Sequence, residues 1–114
     1  MTFDQYVRLS EETSVYPNSG EAVGLAYAAL GLAGETGEIV NKIKKVLRKD
    51  VTDYKSMYSE FRKELAKEIG DALWYMAALC REIDCSMSEI ALNNLDKLQD
   101  RKNRGVLRGS GDNR

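Results

Sequence analysis

Phe61, Leu65, Ile69, Ala72, Met76, Leu79 and Ile83 recur at intervals of three and four. That period keeps apolar side chains on one face of an α-helix, and a strand cannot use it. A second apolar line, Leu25, Leu32, Ile39, Ile43, Val46 and Leu47, follows from Ala22. Phe3, Tyr6, Val7 and Leu9 predict a short first helix, with Thr2 or Asp4 as its N-cap. Ser86 or Ser88 can cap a last helix carrying Ile90, Leu92, Leu95 and Leu98. "YPNSG" (16–20) holds the only proline and reads as a loop. "RKDVTDYKS" (48–56) reads as a polar connector ahead of a helix from Met57 to Asp84. Strand signals and internal repeats are lacking. The expected fold is all-α, an antiparallel four-helix-bundle core that oligomerises. Residues 1–104 read as one helical domain, and 105–114 as a flexible, basic, glycine-rich tail.

The chain has 114 residues, so one domain is expected, with a core small enough to make self-association reasonable. Seventeen Lys and Arg stand against eighteen Asp and Glu. That balance lacks the basic excess of a nucleic-acid binder. There is no histidine, which excludes Ser-His-Asp triads and Glu-x-x-His di-iron sites. Cys80 and Cys85, five apart and without a second pair, do not have zinc spacing and read as small apolar helix residues. No stretch reaches the roughly 20 apolar residues that span a bilayer, and the polar N-terminus is not a signal peptide. A cytoplasmic protein without a membrane partner is expected.

The segment "GLAGETGEIVNKIKK" (31–45) departs from ordinary helix composition. Gly31, Gly34 and Gly37 each weaken a helix by roughly 1 kcal/mol relative to alanine. Glu35 and Glu38 lie among them at i,i+3, neighbours on one face. "ELAKEIGDALWY" places Glu64, Glu68 and Asp71 in a second acidic stripe, at the edge of an apolar face. Facing carboxylates repel unless a proton or cation intervenes, and Mg²⁺ favours such hard oxygen donors. A solvated face is the competing account, since Lys45, Lys63 and Lys67 offer ordinary pairing. The glycines, with Gly70, either let a partner or ligand approach or only permit tight helix packing.

Glu35-x-x-Glu38 followed by Glu68-x-x-Asp71 resembles the acidic signature of the all-α nucleoside triphosphate pyrophosphohydrolases, most closely the MazG-like branch. "GLAGETGEIVNKIKKV" (31–46), "KEIGDALWYMAAL" (67–79) and "NLDKLQDRKNRGVLRGSGDNR" (94–114) extend the likeness beyond residue 22. The resemblance implies a homodimer or homotetramer that hydrolyses a nucleoside triphosphate to monophosphate and pyrophosphate, for nucleotide-pool cleaning or balance. It implies Glu35, Glu38, Glu68 and Asp71 as ligands of Mg²⁺, with Mn²⁺ as the alternative ion. Glu38 would also orient or deprotonate the attacking water.

A triphosphate calls for cations, and Lys42, Lys97, Arg101 and Arg104 are the candidates; Lys97 and Arg101 equally suit a helix C-terminus. Trp74, with Asn94 and Asn18, is the candidate base contact, although Trp74 also suits a core. The competing functions are a non-catalytic metal- or nucleotide-binding helical oligomer, or a dUTPase-like or phosphoribosyl-ATP pyrophosphohydrolase relative.

Overall fold

The structure is a computed structural model that describes residues 1–48 and 54–114, with 54–58 as backbone only. Four α-helices carry the fold: α1 (Phe3–Ser10), α2 (Ala22–Leu47), α3 (Tyr54–Glu82) and α4 (Met87–Asn103). A 3₁₀ turn, Glu11–Thr13, follows α1. No strand occurs among the described residues. Of the expected connector 48–56, residues 49–53 lie outside the described residues, and α3 starts at Tyr54, three positions before Met57.

Local chemistry explains where each helix begins and ends. Thr2 caps α1: its hydroxyl accepts from Gln5 N at 3.0 Å, while Thr2 N donates to the Gln5 side chain at 2.7 Å. This reciprocal box satisfies two otherwise orphaned donors. Ser86 rather than Ser88 caps α4, accepting from Glu89 N at 3.1 Å. Ser88 instead joins α4 to α1, through Asp4. The Asp4 carboxylate accepts from Ser86 Oγ and from Ser88 N, and Asp4 N donates back to Ser88 Oγ at 3.2 Å. α3 ends at Glu82, and Asp84 takes φ 52°, a left-handed conformation open to aspartate. The helix therefore stops before the expected Asp84. Cys85 falls in the turn and is exposed, whereas Cys80 is buried, so only Cys80 serves as a small apolar helix residue.

α2 and α3 form the main antiparallel hairpin. Gly31 lies against Tyr75, Glu35 near Asp71, and Lys42 against Glu68, so numbers rise on one helix as they fall on the other. The buried apolar residues are mostly small: Ala28, Ala72, Ala77, Ala78 and Cys80, with Met87 the one larger side chain among those described. Tyr6, Val7 and Leu73 close over Ala77, Cys80 and Met87 where α1 crosses α3 and α4 begins. The expected four-helix bundle is not closed within one chain. α2 packs mainly on α3, and α4 mainly on α1. The radius of gyration is 17.5 Å, against about 13 Å for a compact chain of this length. Val23, Leu30, Val40, Leu47, Leu92 and Leu95 stay exposed as a result.

Candidate metal and nucleotide site

Midway along the hairpin the two acidic stripes meet. Glu35 of α2 and Glu68 and Asp71 of α3 each offer a carboxylate oxygen, all within 4.8 Å of one another. Helical spacing explains two of them: residues three apart, 68 and 71, share a face, and the antiparallel hairpin brings residue 35 opposite. Glu35 and Glu68 are half-buried and Asp71 is exposed. Burial raises the Glu35 carboxyl above its ordinary range, helped by the charges of Asp71, Glu68 and Glu38. Burial and neighbouring like charges both disfavour the ionised form of such a carboxyl. Glu38 lies outside the group of three, one turn along α2, and is exposed.

Lys42 brings a cation to the acidic stripe. Its Nζ lies 3.3 Å from Glu68 Oε1 and 3.6 Å from Glu64 Oε2. Hydrogen bonding to Glu68 raises its pKa against a smaller opposing effect of burial. This candidate phosphate contact is thus engaged by the acidic stripe at one end, leaving Glu35 and Asp71 to face each other.

Beside the carboxylates opens a cleft of about 370 Å³, lined by Thr13, Glu35, Asp71, Trp74 and Tyr75. Its aromatic wall is fixed from several sides. Trp74 sets its ring edge-on to Tyr75 at 5.1 Å and to Tyr16 at 6.3 Å, and Tyr16 stacks on Tyr27 at 5.4 Å. The Arg81 guanidinium lies 5.6 Å from the centre of the indole. Tyr75 fits because position 31 is glycine: a Cβ there would come within 2.1 Å of the tyrosine ring. Gly34, Gly37 and Gly70 have no such neighbour, so close packing accounts for one of these four glycines.

The structure thus brings Glu35, Glu68, Asp71 and Trp74 together. It keeps Asn18, Asn94, Lys97, Arg101 and Arg104 out of the cleft lining. Asn18 sits in the loop before α2 and donates to Glu21 at 3.1 Å. Asn94 and Lys97 are exposed on α4. Arg101 is buried and donates to the Asp112 carbonyl at 2.8 Å; Arg104 pairs with Asp100 at 2.8 Å and donates to the Arg114 carbonyl. Arg114 turns back to the Val106 carbonyl at 3.2 Å. These arginines fold the 105–114 segment against the end of α4.

Two residues absent from the sequence reading organise the rim. Glu82 accepts from Tyr16 Oη, from Ser19 Oγ at 3.2 Å and from Gly20 N at 2.9 Å, pinning the "YPNSG" loop to the end of α3. Arg81 donates to the Val7 carbonyl at 2.9 Å and to Ser10 Oγ, tying α1 to α3. Both pair with residues more than sixty positions away, so no local spacing announces them.

Facing carboxylates beside an aromatic cleft, carried on an all-helical chain, form a candidate metal site. Residues 26–106 match the MazG nucleotide pyrophosphohydrolase domain, and the chain belongs to that family. It is also similar to the gene 37 protein of Mycobacterium phage L5, 45% identical over 118 residues and spanning the whole of both chains. No solved structure matches it. No helix among the described residues is long and apolar enough to cross a membrane.

Proposed function

We propose that this chain is a Mg²⁺-dependent nucleoside triphosphate pyrophosphohydrolase, releasing a monophosphate and pyrophosphate by water attack at the α-phosphate. The observation that carries the reading is the convergence of Glu35, Glu68 and Asp71 at the mouth of a cleft with an aromatic wall. Their donor set fits a hard divalent ion, since each supplies a carboxylate oxygen and the three lie within 4.8 Å of one another. Glu35, Glu68 and Asp71 would hold Mg²⁺, with Mn²⁺ as the alternative and Glu38 joining from the next turn. When bound, the ion supplies Lewis acidity and charge neutralisation for the triphosphate.

The chain's own groups do the rest. Glu38, exposed and beside the cluster, takes the proton as the water oxygen bonds to the α-phosphorus and the bond to the β-phosphate breaks. Lys42, held by Glu64 and Glu68, lies close enough to turn its ammonium to a phosphate oxygen. Trp74 and Tyr75 receive the nucleoside. Lys97 on α4 and Arg104 at its C-cap would reach the triphosphate in a homodimer or homotetramer that lays α4 of another copy over the cleft. The exposed leucines of α4 and the open outline of the single chain support such an assembly. Nucleotide-pool cleaning or balance in the cytoplasm would be its role.

The test is a panel of canonical and modified NTPs and dNTPs with purified protein and Mg²⁺, separating pyrophosphate from single phosphate. Monophosphate plus pyrophosphate, abolished by EDTA, is expected. Release of single phosphate, or no turnover across the panel, refutes the reading.

A further inference from the structure

The family match starts at residue 26, yet one wall of the cleft comes from before it. Thr13, last residue of the 3₁₀ turn, lines the cleft together with Glu35 and Asp71. Its hydroxyl is already oriented. It donates to the Ser10 carbonyl at 3.0 Å and accepts from the Trp74 indole N–H at 2.8 Å. A hydroxyl has one proton and two lone pairs. The proton and one lone pair are spent, so Thr13 can offer a ligand only an acceptor. Ionised carboxylates offer only acceptors as well, so the polar side chains of this part of the cleft call for donors.

The turn that carries Thr13 is itself held in place. Ser10, whose carbonyl orients the Thr13 proton, is buried, and its hydroxyl accepts from Arg81. Arg81 also lies over the indole that Thr13 fixes by its edge. Trp74 is therefore clamped at its N–H by Thr13 and on its ring by Arg81, and both clamps depend on the segment ahead of α2.

Resting on the nucleotide reading above, we propose that Thr13 is a specificity-determining residue, selecting nucleotides that present an N–H or O–H donor to its free lone pair. A nucleotide carries such donors as base amino groups, ring N–H groups and the sugar hydroxyls; of these, the base amino group and the ribose 2′-hydroxyl are the ones assigned to Thr13. Arg81 is a positioning residue that acts through Ser10 and Trp74.

The experiment measures calorimetric affinity for CTP, UTP and dCTP with Mg²⁺ in the wild type, Thr13→Val and Thr13→Ser, each protein full length. CTP against UTP exchanges the 4-amino donor for a carbonyl and the bare N3 for an N3–H, and CTP against dCTP removes the 2′-hydroxyl. The wild type is expected to prefer CTP within one of the two pairs by roughly 3- to 10-fold, the worth of one neutral hydrogen bond. Thr13→Val should erase that preference and Thr13→Ser restore it. Trp74 is the only tryptophan, so intrinsic fluorescence reports the clamp directly. Thr13→Val should shift its emission while Thr13→Ser leaves it near the wild type. An unchanged preference in Thr13→Val overturns the proposal, as does wild-type binding that ignores both donors or nucleotide binding too weak to detect. Binding with the expected preference but no turnover keeps it, and sinks only the hydrolase reading.

Discussion

Two sets of acids lie near the surface of this molecule, and they are treated in opposite ways. Glu82 and Asp4 are surrounded by donors. Tyr16, Ser19 and the Gly20 N–H converge on Glu82; Ser86 and the Ser88 N–H converge on Asp4. Hydrogen bonds led by Tyr16 and by Ser86, respectively, hold both carboxyls below their ordinary range. Glu35 faces two other acids and is pushed up, by burial first and then by their charges. Acids supplied with donors serve as rivets for loops and helix starts. Acids gathered against one another, as Glu35 is against Glu68 and Asp71, disfavour their own ionised forms unless a cation or proton joins them, which suits a ligand site.

The widest separation between the two sets should appear in catalysis. Glu38→Gln is expected to cut turnover by roughly 10²- to 10⁴-fold, the usual worth of a general base. Its melting temperature should stay close to that of the wild type, because Glu38 is exposed. Pyrophosphate release and a thermal scan read both quantities. Full activity in this variant would remove Glu38 from the chemistry.

Ligand linkage gives the next effect. Mg²⁺ at a hundred times its dissociation constant should stabilise the fold by about 2.7 kcal/mol. Glu68→Gln should remove most of that gain while Glu82→Gln keeps it, with EDTA-stripped protein as the reference in a differential scan. Equal gains in both variants would mean that the three carboxylates are not where the ion binds.

The acidic pairs were legible in the sequence because helix geometry turns a spacing of three into a shared face. The α2–α3 hairpin then needed only an antiparallel register to bring residue 35 opposite residue 71. The role of Arg101 was not legible. Its i,i+4 place beside Lys97 reads as a phosphate comb, but its guanidinium is buried against the Asp112 backbone eleven residues on. Nor did periodicity reveal the Glu82 and Arg81 contacts, which tertiary packing creates between opposite ends of the chain. Apolar spacing suggested an oligomeric four-helix-bundle core because it records which faces want burial. It says nothing of whether the same chain or another supplies the cover.

The acid rivets make a smaller, pH-dependent prediction. Glu82 has a lowered folded pKa, so its stabilisation is complete above the unfolded value of about 4.3 and is lost as pH falls through the folded one. Glu35 has the opposite sign: its protonated form favours the fold, and that contribution is lost as pH rises through its raised value. Glu82→Gln should therefore cost about 1 kcal/mol at pH 7, modest because solvent screens the site, and flatten the acid limb of a stability–pH curve. Glu35→Gln should flatten the limb above pH 4.5 and stabilise the metal-free protein at neutrality. Urea melts across pH 3–7 would separate the two variants, and limbs that move together would undo the distinction between rivet and site.

The last contrast lies within the hairpin, between its closed and open parts. At Gly31 a new Cβ meets the Tyr75 ring at 2.1 Å, a distance no side chain accepts, so Gly31→Ala must push the ring aside. Overpacking of this kind costs about 1–3 kcal/mol. At Gly34, one turn along α2, nothing lies within 4 Å of the same added atom. Gly34→Ala should therefore return the helix propensity that glycine gave up, stabilising the ligand-free monomer by up to about 1 kcal/mol. Opposite signs in paired chemical melts are expected. If Gly34→Ala destabilises instead, position 34 is already covered in solution, and a second copy of the chain, visible as concentration dependence of the same melt, is what covers it.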